Sequence, residues 1–133
     1  MIKQKIHSTS FAKKMGAYSH AYKIDIGNAE MIFTTGQIAV DNNGNVVFEN
    51  DVSRQTEFIF ESINKILHQA GSNIDDIVKV TIFVTDINDF DKISPVRNKY
   101  LAKAEAVSTL VEVSKLVKDG CKTEIEAIAV KEK

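Results

Sequence analysis

The chain has 133 residues, 44% of them hydrophobic and 26% charged, which is the composition of one globular domain with a real core. Seventeen Lys and Arg against 18 Asp and Glu give a net charge of −1, so nothing in the balance favours nucleic acid, whose phosphates select basic surfaces. No apolar run approaches the roughly 20 residues that span a bilayer, the start lacks a signal-peptide pattern, and a single cysteine, Cys121, fits a reducing compartment. The expectation is one domain over residues 1–133, in the cytoplasm and away from membranes.

Lys3 to His7 reads as a first short strand. Ser19 to Ile26 alternates, with His20, Tyr22, Ile24 and Ile26 on one face. Gly27-Asn28 turns the chain into a second β-branched and aromatic run, Glu30 to Ile38. Asp41-Asn42-Asn43-Gly44 is a strong turn signal, with Val46-Val47-Phe48 returning from it.

A helix is expected over Val52 to Ala70, capped by Asn50 or Asp51. Its apolar stripe is Ile59, Ile63, Ile66, Leu67 and Ala70, and Gly71 stands where a left-handed C-terminal cap belongs. Val78 to Val84 is apolar on nearly both faces, as a buried central strand is. A second helix spans about Phe90 to Ala102, read with a loose opening turn, Ser94 as cap and Pro95 at the first regular position. Thr109 to Val113 and Thr123 to Val130 close the chain as strands joined through Asp119-Gly120. The order βββαβαββ predicts an α+β fold with one mixed sheet and both helices on one face. The other sheet face needs cover, for which a second subunit is the natural source.

Most catalytic patterns are missing: there is no GxGxxG, P-loop, HExxH or GxSxG. His7, His20, His68 and Cys121 lack metal-ligand spacing. Ser19 and His20 are neighbours on a strand and so point to opposite faces, which rules out a dyad. Cys121 reads as an inert turn residue. What fold alone leaves unexplained are polar positions at strand ends and loops: Gly16 to Ser19, Thr34 to Gln37 with a glycine inside a strand, Thr85 to Asp89, and Glu124 with Glu126 on one face of the last strand.

These same blocks resemble the Rid family, also called the YjgF or L-PSP-type family. The resemblance runs through Gly16-Ala17-Tyr18-Ser19-His20-Ala21, Phe33-Thr34-Thr35-Gly36-Gln37-Ile38, Ala70-Gly71, Val78 to Phe90, Val111 to Leu116 and Glu124-Ile125-Glu126-Ala127-Ile128-Ala129, nearly the whole chain. It implies a chorismate-mutase-like fold assembled as a homotrimer, with small-molecule clefts between subunits. It also implies hydrolysis of reactive enamines and imines to a 2-keto acid and ammonia without metal or organic cofactor. By position, Tyr18, Thr35, Gly36 and Asn88 would line the cleft, and Glu124 would hold the attacking water.

One departure bears on substrate. Deaminase members carry an arginine, just before the Val-Glu-Val strand, that grips the substrate carboxylate; here Ser108 stands in its place, after a shortened Ala102-Lys103-Ala104-Glu105 connection. Truncating one partner of a sheltered Arg–carboxylate pair costs about 2–5 kcal/mol, against about 1 kcal/mol for a neutral hydroxyl bond. The resemblance therefore implies a hydrolase of altered substrate range. A trimer that binds a metabolite without turning it over is the alternative. The endoribonuclease or translation-inhibitor activity attached to some relatives comes third, since no basic stripe supports it.

Overall fold

The computed structural model describes residues 2–7 and 13–133. Six strands, β1 (Lys3–Ile6), β2 (Ala21–Asp25), β3 (Ala29–Thr34), β4 (Ile77–Val84), β5 (Val107–Glu112) and β6 (Thr123–Glu132), form one sheet in the order β1-β2-β3-β6-β4-β5. Among the described residues only β4 and β5 run parallel; the other strand pairs are antiparallel. The β4-to-β5 connection carries α2 (Phe90–Tyr100), the crossover that a parallel pair requires. The expected α+β order βββαβαββ is the observed one.

Helix α1 (Val52–Gln69) starts where Asp51 accepts the backbone N–H of Arg54 and ends before Gly71, which sits at φ +85 where a side chain would be strained. Its buried stripe, Ile59, Phe60, Ile63, Ile66 and Leu67, packs with Ile93 and Val96 of α2 on one face of the sheet. From that face the sheet supplies Ile32, Val80, Ile82, Ile125 and Ala129, all fully buried. Phe60 and Tyr100 stack across the helix pair at 5.2 Å between ring centroids. Among the polar side chains sealed inside, Gln55 donates to the carbonyls of Val47 and Gly120 and accepts from the N–H of Lys122, tying α1 to the segment before it and to the loop that leads into β6.

Three local expectations change. Ser94 does not cap α2; a 3-10 turn at Ile87–Asp89, opened by the Asp86 carboxylate accepting from Asn88 N–H, runs directly into the helix. Pro95 therefore lies inside α2, where the bond it cannot donate would have gone to the carbonyl of exposed Asp91, within reach of solvent. Second, β3 stops at Thr34 rather than Ile38, and Val46 returns only as a single bridge to Val40 before Phe48 turns to φ 51. Third, β4 is sealed on one side only: Val80, Ile82 and Val84 are buried, while Lys79 and Val78 are exposed.

The register places Tyr22, Met31, Phe33, Phe83, Val111 and Ile128 on the sheet face opposite the helices, where they are only partly covered or exposed. No helix among the described residues is long and apolar enough to cross a membrane.

Candidate active site

The site begins with an irregularity in the pairing of β3 and β6. Phe33 pairs with Ile128 and Gln37 with Ile125, four steps along one strand against three along the other, so β3 carries one extra residue. The bulge falls at Thr34-Thr35-Gly36. The Thr34 hydroxyl accepts the N–H of Ala127 that the backbone ladder would otherwise take, and Thr35 N–H turns back to the carbonyl of His20. Gln37 then rejoins β6 through two bonds with Ile125, at 2.9 and 3.1 Å.

Gly36 is required by what lies over it. A Cβ built on Gly36 would overlap the Glu124 carboxylate and stand 3.0 Å from its Cδ and 3.3 Å from its Cγ. The glycine found inside the strand pattern is thus the floor on which Glu124 rests. Glu124 is half-buried, and burial first, then the like charge of Glu126, raises its pKa above the ordinary 4.5. A carboxylate tuned this way is a better proton acceptor near neutral pH than an exposed one.

Tyr18 and Thr35 border two adjoining spaces. One is an open cleft of about 650 Å³ walled also by Tyr22, Phe33, Lys5, His7 and Lys14. The other is a recess of about 40 Å³ reached by Gly36, Gln37, Lys14 and His20. The Tyr18 hydroxyl accepts the N–H of Met15 at 3.0 Å, which folds the Met15–Tyr18 turn over the recess. His20, buried just before β2, meets His7 edge to face at 6.5 Å, and Ser19 contacts the other ring, His7 Nε2, at 3.3 Å. Ser19 and His20 therefore do not act as a pair. Cys121 is buried, its thiol pKa raised chiefly by that burial, in keeping with an inert residue.

Of the six residues expected at the site, Tyr18, Thr35 and Gly36 border one recess, and Glu124 lies against Gly36 without lining the recess itself. Asn88 and Ser108 do not join them within one chain. Asn88 is exposed in the 3-10 turn that Glu112 holds through Ile87 N–H, and it lines neither the cleft nor the recess. Ser108 is paired with buried Val80 and so faces the helix side of the sheet, whereas Glu124 is paired with Phe83 on the other side. Ser108 opens instead onto a groove of about 380 Å³ along the end of α2, with Arg97, Leu101 and Glu105.

Lys5, His7, Lys14 and Tyr22 are cleft residues that the motifs do not mark. For the three basic residues the signal in the sequence is charge, Lys13-Lys14 immediately before the Gly16 block and His7 at the end of a strand, meaningful only once β1 is known to lie beside β2. Among the described residues no group of three or more His, Cys, Asp or Glu side chains could hold a metal.

The sequence profile of the family described as Endoribonuclease L-PSP matches residues 9–131. A RutC family protein of Pyrococcus abyssi is 39% identical over 132 residues, covering 99% of this chain and 100% of its own. A protein of Salmonella typhimurium named 2-iminobutanoate/2-iminopropanoate deaminase is 40% identical over 111 residues, 81% of this chain and 84% of its own. Among solved structures, E. coli TdcF with bound serine superposes with a TM-score of 0.82 at 33% identity, covering 97% of this chain and 99% of that one. With the same blocks, the same fold and near-complete coverage, the chain belongs to the Endoribonuclease L-PSP family, the family also called Rid or YjgF.

Proposed function

We propose that the protein hydrolyses small reactive imines or their enamine tautomers, with Glu124 as the group that positions and deprotonates the attacking water. The observation carrying this reading is Glu124 itself, a half-buried carboxylate of raised pKa seated on Gly36 beside the recess that Tyr18 and Thr35 border. The deaminase name of the Salmonella relative supplies the substrate class, a 2-imino acid. The water oxygen bonds to the imine carbon, and the proton lost from water goes to Glu124. It is then passed to nitrogen, and the C–N bond breaks as the carbonyl forms. The hydroxyl gives its remaining proton to the departing nitrogen as the carbonyl forms, so the protonated imine and water give 2-keto acid and ammonium, with nothing oxidised or reduced and no cofactor needed. A protonated imine is already electrophilic, so placing the water about 3 Å from carbon is most of what the protein must do.

The cleft is completed by copies of the chain in a homotrimer. The apolar side chains on the open sheet face support this, as does the separation of Ser108 and Asn88 from Glu124 in one chain. With serine rather than arginine at 108, the substrate range differs from that of deaminases carrying the arginine.

Ser108 also supports a second reading, a trimer that binds a small metabolite without turnover. Ammonia release from freshly generated 2-iminobutanoate separates the two. Hydrolysis well above the buffer rate, lost in Glu124→Gln, supports the enzyme. Hydrolysis appearing only in Ser108→Arg supports the binding protein.

A further inference from the structure

The walls of the cleft carry a charge pattern that the motif residues do not account for. Lys5, His7 and Lys14 converge on the same space from two segments of chain, β1 and the turn before Gly16. Lys14 Nζ bonds His7 Nδ1 at 2.6 Å, and His7 Nε2 meets Ser19 Oγ at 3.3 Å. Local desolvation, then the electrostatic influence of Lys14, His20 and Lys5, lowers the pKa of His7. An ammonium only donates, so His7 accepts from Lys14 through Nδ1 and leaves the ammonium charge intact, with two of its three donors uncommitted to that bond. Among the described residues neither Lys5 nor Lys14 has a carboxylate within ion-pair distance, whereas Lys23 and Lys133 both do. The intervening Ser8-Thr9-Ser10-Phe11-Ala12 contributes no ionisable side chain.

Two features say what such a site takes. The rest of the cleft wall is aromatic and apolar, from Tyr18, Tyr22 and Phe33, so the ligand has an uncharged body as well as an anionic end. Lys14 also borders the recess reached by Gly36, on which Glu124 lies. The cleft and the recess share Lys14, Tyr18 and Thr35, so an anion held by Lys14 sits where the two spaces join.

We propose that Lys14, supported by Lys5 and oriented by His7, binds the carboxylate of the ligand and so fills the role left vacant by serine at position 108. This rests on the reading of the cleft as a 2-imino acid site. It moves the specificity-determining cation from β5 to the segment before Gly16. Charge and geometry then select small carboxylates with short apolar side chains over their neutral analogues. An ammonium offers a point charge rather than a planar fork, so orientation comes from the aromatic walls and the bound His7.

The test is a calorimetric titration of the intact protein with 2-oxobutanoate and its neutral amide, 2-oxobutanamide, alongside imine hydrolysis. Lys14→Gln is expected to weaken 2-oxobutanoate at least about tenfold, with the amide unchanged; Lys14→Arg is expected to restore most of the loss. Lys5→Gln should give a smaller loss of the same sign. Carboxylate binding that depends on Lys14 without imine hydrolysis upholds the anion site and overturns the deaminase reading. Hydrolysis unaffected by Lys14→Gln, with 2-oxobutanoate bound as before, overturns the anion site and leaves the deaminase reading standing. No binding of 2-oxobutanoate to the unaltered protein, or a Lys14→Gln loss traced by light scattering to broken assembly, also overturns it.

Discussion

The carboxylate of Glu124 occupies the volume that a side chain at residue 36 would need, with its Cδ 3.0 Å from where a Cβ would stand. The bulge in β3 brings this about. One extra residue between Phe33 and Gln37 turns the backbone so that Gly36 faces β6 at the level of Glu124. The glycine and the acid, 88 residues apart in sequence, are thus one unit of the candidate site.

Gly36→Ala should therefore act as a catalytic mutation without being a folding one. The first atom met is the far end of a flexible side chain, so Glu124 swings away and the strand survives. A displacement of about 1 Å can cost on the order of 100-fold in rate. Ammonia release should fall by about that factor while the melting temperature moves little; an unchanged rate would remove Glu124's placement from the mechanism.

Glu124 also links activity and stability to pH with a definite sign. Its pKa is raised in the folded chain, so the folded state holds the proton more tightly than the unfolded state does. The favourable contribution is full below the ordinary carboxylate value and is lost as pH rises through the folded pKa. Glu124→Gln should consequently raise the melting temperature near pH 7 and make little difference below about pH 4. Because Glu126 contributes to the shift, Glu126→Gln should move the acidic limb of kcat/KM to lower pH. A limb that stays in place would separate Glu126 from the titration.

Gln55 should prove the costliest polar residue to replace in the core. Gln55→Leu keeps the bulk but strands the carbonyls of Val47 and Gly120 and the N–H of Lys122. Unsatisfied groups cost about 1–3 kcal/mol each. With partial solvent access at the loops, urea unfolding should show a total loss of about 2–5 kcal/mol. A loss below about 1 kcal/mol would mean that water replaces the amide.

Assembly can be tested at Ile128, whose side chain is on the sheet face opposite the helices. Light scattering of the native protein should give three times the mass of one chain. Ile128→Lys should give the single-chain mass with an unchanged circular-dichroism spectrum, because the lysine faces outward in one chain. A native monomer, or a variant that still assembles, would count against the trimer.

The succession of strands and helices was legible in the sequence because period-2 and period-3.6 patterns are local, as are the Asp51 cap and the Gly71 stop. Motif blocks likewise marked Tyr18, Thr35 and Gly36, which border one recess, and Glu124, which lies against Gly36. The expected start of α2 at about Phe90 holds, but the Ser94 cap does not, because proline signals a helix opening only by tendency; exposed Asp91 four residues back let the helix run through Pro95. Tertiary structure alone decided the rest. The bulge that seats Glu124 depends on the register of β3 against β6, strands far apart in the chain. Ser108 and Glu124 fall on opposite sides of the sheet because the β4 pairings fix their parity. The cationic wall of the cleft exists only because β1 pairs with β2, bringing Lys5 and His7 against the turn that carries Lys14. Such relations are set by long-range pairing, which local periodicity does not encode.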